Sequence, residues 1–187
     1  MSMFSLVNRS VRVCRSVGTA SLQTSAQSLG ILKGLNPILT PDLLWMLRAA
    51  GHGDEIVVVD ANFPAQEVST KCTTGMKIEL AGITLPEALN AICEVYPLDF
   101  FISEPARYMS PTEGSLPPLG QEVIDASRAV IGNHADGITI SPLERFEFYD
   151  VARRGFAVVQ CVAERRPYGN FILTKGVVGP DGNDLKP

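Results

Sequence analysis

Acid is missing from the start of this 187-residue chain. The first carboxylate is Asp42, and the opening MSMFSLVNRSVRVCRSVGTASLQTSAQSLG holds Arg9, Arg12, Arg15 and seven serines. Arginine and serine without acid is the composition of a mitochondrial import segment, and the compact apolar core of a secretory signal is absent. Residues 1–30 are therefore expected to lie outside the fold, as an import segment and a mitochondrial location, or as a dispensable tail on a cytoplasmic protein. An excess of cations is missing too. Sixteen Lys and Arg stand against twenty Asp and Glu, a net charge of −4, so there is no basic footprint for nucleic acid, and no motif for one. No apolar run reaches the ~18 residues that span a bilayer, and no membrane partner is expected.

Metal and nucleotide signatures are lacking as well. The four cysteines, Cys14, Cys72, Cys93 and Cys161, include no CxxC pair, and their spacing fits neither a zinc site nor a disulfide framework. His52, Asp54 and His134 are the obvious ligand pool, but their spacing matches no ligand pattern. No P-loop or GxGxxG is present. GHGDEI holds only the first two glycines and precedes a strand instead of following one. A GxSxG nucleophile elbow is also absent. What remains is proton transfer by His, Asp and Tyr, with no metal and no cofactor.

What is there is a folding sequence, 45% hydrophobic and 19% charged, as a globular core requires. TPDLLWMLRAAGHG predicts a helix: Thr40 can cap it, Pro41 suits the first turn, Asp42 favours the positive end of the dipole, and Gly51 can stop it. EIVVVD predicts a strand buried on both faces, because its apolar run does not alternate. MKIEL (76–80) is a second strand, and DFFIS (99–103) a third. Between them, Thr84 and Glu87 stand at capping-box spacing, before a helix that Pro97 ends. Recurrent Pro and Gly over 105–120 predict a long loop, and 121–131 a helix. SPLERFEFYDVARRG repeats the helix grammar, with Ser141 as cap and Glu144 at the box position. FAVVQCVAE and FILTKGVV are the last two strands, with RRPYGN a tight loop between them. Four or five strands alternating with helices imply an α/β three-layer sandwich around a largely parallel central sheet. The fold is expected over 31–180, with a short tail over 181–187.

LKGLNPILTPDLLWMLRAAGHGDEIVVVDANFPA, YPLDFF, LERFEFYDVARRGFAVV and RPYGNFILTKGVV, in that order over 31–178, resemble the fucose/ribose mutarotase family. GHGDE with DANFP is more similar to its fucose branch than to its ribopyranase branch. The resemblance implies a cofactor-free isomerase that interconverts the α and β anomers of a free reducing sugar, here L-fucose, by opening and closing the ring. It places His52 as the proton donor and Asp60 as a substrate-binding carboxylate. Asp99 and Tyr149 join the catalytic set, Met109 contacts sugar, and Tyr168 and Asn170 form a C-terminal clamp. It also implies a homo-oligomer, in this family a ring. His52 and Asp60 flank one strand, so they can share a site only across a subunit contact or through a folded-back loop. A non-catalytic sugar-binding protein on the same fold, or a ribose pyranase, is the alternative function.

Overall fold

The opening helix forms where its punctuation places it. In this computed structural model, which describes residues 30–187, α1 spans Pro41–Ala49, and the Leu43 amide donates to the Thr40 hydroxyl at 3.3 Å. The import segment expected over 1–30 lies, Gly30 apart, outside the described residues. After α1 come β1 (Glu55–Val59), α2 (Ala65–Ser69), β2 (Lys77–Leu80), α3 (Leu85–Cys93) and β3 (Ala106–Ser110). Then follow α4 (Pro118–His134), β4 (Ile140–Glu144), α5 (Arg145–Ala152), β5 (Ala157–Cys161) and β6 (Phe171–Thr174). The capping box opens α3: the Thr84 amide and hydroxyl both donate to Glu87 Oε2, at 2.8 and 2.6 Å.

One six-stranded sheet runs in the order β2-β5-β1-β6-β3-β4. β2, β5 and β1 are mutually parallel, as are β3 and β4; β6 alone runs antiparallel to both neighbours, β1 and β3. The sheet is thus mostly parallel, as expected. β1 shows why its apolar run does not alternate: Ile56 and Val58 face α1, α3 and α4, while Val57 and Val59 face α2 and α5. Burial on both faces is what a central strand of a three-layer sandwich requires. The chain's last residues fold back, with a bridge between Val178 and Asp184 and a bond from the Leu185 amide to the Val177 carbonyl at 2.8 Å.

Three expectations are corrected. DFFIS is not a strand. Leu98 makes a single bridge to Lys175, Asp99 Oδ1 then accepts from the Phe101 amide at 2.9 Å, and that turn leaves Phe101 and Ile102 exposed. The strand lies instead at Ala106–Ser110, inside the expected loop. Its alternation is hidden because Arg107 lies on the same face as buried Met109. Ser141 caps no helix, because residues 140–144 pair with β3; Glu144 is the cap, accepting from the Phe146 and Glu147 amides at 2.8 and 3.2 Å. α2, a single short helix after Pro64, carries too few residues for a readable period.

Candidate active site

Two clusters of polar groups stand at opposite ends of β1. Past its carboxyl end, β1 hands the chain to Asp60, which is 3% exposed. Its Oδ1 accepts from the amides of Asn62 and Phe63 at 2.8 and 3.0 Å, closing the DANFP turn. Asn170, just before β6, reads Asp60 twice: its Nδ2 donates to Asp60 Oδ2 at 3.0 Å, and its Oδ1 accepts from the Asp60 amide at 3.1 Å. Because β6 is antiparallel to β1, its start meets the end of β1, and residues 110 apart in sequence become neighbours. β3 delivers Met109 to the same place, with its amide on the Asn170 carbonyl at 3.0 Å and its sulfur 3.7 Å from Asn170 Nδ2. α5 adds Tyr149, whose ring packs on Phe63 at 5.4 Å between centroids.

These groups line a cavity of about 230 Å³, completed by Tyr168, Pro167, Asn62 and Arg145. Five of the seven expected site residues therefore meet in one pocket: Asp60, Met109, Tyr149, Tyr168 and Asn170. Arg145 and Asn62 were not among the expected residues. The signal for Arg145 is its position one helical turn before Tyr149, on the same face of α5. Asn62 carries no signal beyond its place in a turn. Tyr168 is the one non-glycine residue among those described with a positive φ, +65°. A left-handed tyrosine is held only where its surroundings over-determine it.

Electrostatics single out Asp60. Burial pushes its carboxyl up to about 6, and the three donors from Asn62, Asn170 and Phe63 only partly offset that effect. A carboxyl near neutrality can hold or release a proton under working conditions, as general acid–base chemistry demands. Arg145 brings positive charge to the pocket wall, and among the described residues no carboxylate lies within ion-pair distance of it.

The second cluster sits before the amino end of β1. His52 Nε2 lies 3.0 Å from Asp99 Oδ2, with the imidazole 54% exposed and the carboxylate 2% exposed. A buried carboxylate bonded to an exposed imidazole fixes the ring's orientation, as a proton-transferring histidine requires. The bridge from Leu98 to Lys175, just past β6, positions Asp99, and the Gly53 amide donates to the Lys175 carbonyl at 2.9 Å. The rise along β1 alone, ~3.3 Å per residue, keeps His52 more than ~13 Å from Asp60. The loop that carries His52 is held at the amino end of β1, where Gly53 and Asp54 bond to Lys175, and it does not reach the Asp60 pocket. Among the described residues, no group of three or more His, Cys, Asp or Glu could hold a metal ion, and no helix is long and apolar enough to cross a membrane.

The model of the RbsD / FucU transport protein family matches residues 33–178. The chain is similar to the fucose mutarotase of Danio rerio, 38% identical over 152 residues that cover 81% of this chain and 97% of that protein. It is similar to the fucose mutarotase of Homo sapiens, 38% identical over 79% of this chain and 94% of the relative. Its fold is similar to the crystal structure of the fucose mutarotase from Streptococcus pneumoniae in complex with L-fucose. That match has a TM-score of 0.69 at 34% identity and covers 79% of this chain and all of the other.

Proposed function

Because the chain belongs to the RbsD / FucU transport protein family, we propose that it acts as an L-fucose mutarotase, interconverting the α and β anomers of the free sugar. The observation that carries this reading is the Asp60 pocket: a carboxyl held near neutrality by burial, beside a tyrosine, an asparagine and an arginine, in a space suited to one sugar ring. The relatives named fucose mutarotase, alike over nearly their whole length, support fucose over another sugar.

The chemistry needs two proton transfers and no redox step. A base takes the proton from the anomeric hydroxyl as an acid protonates the ring oxygen, and the C1–O5 bond breaks to give the open aldehyde. Rotation about C1–C2 presents the other carbonyl face. Closing reverses both transfers. Asn170 can both donate to and accept from sugar hydroxyls, while the Phe63 and Tyr149 rings and Met109 offer apolar surface to the C–H edges and the 6-methyl group. His52, oriented by Asp99, donates the proton to the ring oxygen. Tyr149 exchanges the proton on the anomeric oxygen, and Arg145 stabilises negative charge developing there.

One chain holds these groups apart, so the complete site forms where the His52–Asp99 end of one subunit meets the Asp60 pocket of another. Exposed apolar side chains flank both halves. Phe101 and Ile102 closely follow Asp99, and Phe146 adjoins Arg145. A contact between two different patches of the same chain is heterologous, and it closes into a ring when the rotation permits.

Exchange NMR on L-fucose tests the function. EDTA-treated protein should speed magnetisation transfer between the α and β anomeric signals in proportion to enzyme concentration. A rate equal to that of buffer alone overturns it, as does activity that chelation abolishes and added metal restores.

A further inference from the structure

The loop that carries Tyr168 and Asn170 is tied down by a residue that lines no part of the pocket. Glu164 follows β5 and is 1% exposed. Its Oε1 accepts from the Arg166 amide at 3.0 Å and from Arg166 Nε at 2.8 Å. Its Oε2 accepts from Arg166 Nη2 at 2.7 Å and from the Leu85 amide, at the first turn of α3, at 3.2 Å. Its backbone carbonyl takes the Ala61 amide at 2.9 Å, one residue past Asp60. Gly169, between Tyr168 and Asn170, packs so closely that a Cβ there would lie 3.2 Å from Glu164 Cγ. Arg166 continues outward to Glu122 on α4 at 2.9 Å. One buried residue thus joins three segments: its backbone holds the turn after Asp60, and its side chain ties the strained Tyr168 loop, through Arg166, to the start of α3.

That arrangement exceeds what packing requires. A buried anion is costly unless paired and hydrogen-bonded, and this one is. Burial works to raise its pKa, but the Arg166 and Leu85 hydrogen bonds and the Arg166 charge outweigh burial and hold the carboxyl below the ordinary glutamate value. It therefore stands as a fixed negative charge beside the pocket. The ionisable groups around Asp60 are Arg145 and Tyr149 on α5, Cys161 on β5, Tyr168, and Glu164 with its partner Arg166. Of these, Glu164 acts to favour the protonated form of Asp60.

We propose that Glu164 is a positioning residue for the sugar site, holding the Asp60 turn and the Tyr168–Asn170 loop in mutual register and placing a fixed negative charge near Asp60. The proposal rests on the reading of the Asp60 pocket as the fucose site. Two variants separate its parts. Glu164→Gln keeps the size, removes the charge and turns one of the two acceptor oxygens into a donor facing N–H groups. Arg166→Lys keeps every charge and removes the two-pronged grip on Glu164. Glu164→Gln should lower the midpoint at which the Asp60 carboxyl titrates, read by carboxyl-carbon NMR, and raise KM for L-fucose by about tenfold, the scale of one lost hydrogen bond. Arg166→Lys should raise KM similarly while leaving the Asp60 midpoint near that of the wild type. Glu122→Gln, which removes only an exposed outer partner, should change neither. A wild-type midpoint and KM in folded Glu164→Gln overturn the proposal, and so do equal effects in Glu122→Gln. If Glu164→Gln does not fold, an unchanged KM in Arg166→Lys overturns it. Wild-type protein without anomer exchange refutes the function proposed above, whereas the Asp60 titration needs no turnover and still decides the role of Glu164.

Discussion

Asp60 is where one residue's environment sets a measurable pH dependence. Its folded-state carboxyl lies near 6 because burial outweighs the donors around it, against about 3.9 when exposed. A value raised on folding means that the folded chain binds this proton more tightly. The resulting stability is full below about pH 4 and is lost as pH rises through about 6, up to ~3 kcal/mol from this group alone. Urea unfolding of wild type and Asp60→Asn between pH 3.5 and 8 should show the wild type losing ground to the variant across that window. A flat difference removes the burial account. Catalysis gives two more tests. His52→Ala should slow exchange by at least ~10²-fold, the lower range for one acid–base group, with circular dichroism unchanged. Tyr149→Phe keeps the ring on Phe63 and loses the hydroxyl; exchange at the wild-type rate would return Tyr149 to a packing role. At this scale the sequence marks candidate side chains, because their types and family motif are local, and five of the seven meet in one pocket. It was silent on Glu164 and marked Arg145 only by its place one turn before Tyr149: a glutamate after a strand and an exposed arginine on a helix look like ordinary surface residues until the fold brings one behind the pocket and the other to its wall.

Elements were legible where their signals are local and obscure where pairing decides. α1 and α3 follow from caps that lie within three residues of each other. The apolar run Ile56–Val59 forms β1 as expected, since a central strand needs no alternation. Phe100–Ile102 looks as apolar but finds no partner strand, because the antiparallel bridge Leu98–Lys175 would carry it along β6, whose two edges β1 and β3 already occupy. β3 was missed because Arg107 occupies a core-facing position, where it pairs with Glu55 on β1 across the intervening β6. β4 was read as helix because Ser141, Pro142 and Glu144 mimic a cap, and only the ladder with β3 overrides that grammar. The crossing of residues 97–99 with 175–176 gives a test at the same scale. Gly176 donates its amide to the Pro97 carbonyl at 2.9 Å, and a Cβ there would sit 2.3 Å from the Leu98 carbonyl oxygen. Gly176→Ala must push the two segments apart, at a cost of about 1–3 kcal/mol or more, and must move Asp99 away from His52. Thermal unfolding should register the loss, and exchange activity should fall further than a surface substitution allows. Wild-type activity in Gly176→Ala would show that the His52–Asp99 bond tolerates displacement of this crossing.

At the scale of the whole molecule, the sheet that builds the site also divides it. β1 separates the His52–Asp99 pair from the Asp60 pocket, so the proposed proton donor and the proposed sugar pocket stand at opposite ends of one strand. The sequence already implied this separation, because the two residues flank four apolar positions of a single strand. Where the halves meet was not legible, since that depends on surfaces such as Phe101, Ile102 and Phe146 that a chain read alone gives no reason to pair. Location is a separate matter. We propose that the acid-free residues 1–30 direct mitochondrial import, and a reporter carrying them should enter mitochondria and be trimmed; a diffuse cytosolic signal would favour a dispensable tail. The shared site has a sharper test. His52→Ala subunits retain a sound Asp60 pocket, and Asn170→Ala subunits retain a sound His52–Asp99 pair. Each homogeneous assembly should be inactive. Exchanging subunits between them should create some junctions with both halves intact and others with both halves broken, so activity should reappear as mixed assemblies form, tracked by native mass spectrometry. In a ring with random mixing of equal amounts, about a quarter of the junctions carry both intact halves, because each neighbour is drawn independently from two kinds of subunit in a heterologous contact. Activity that stays at zero while mixed assemblies accumulate, or full activity in an isolated monomer, excludes a site divided in this way.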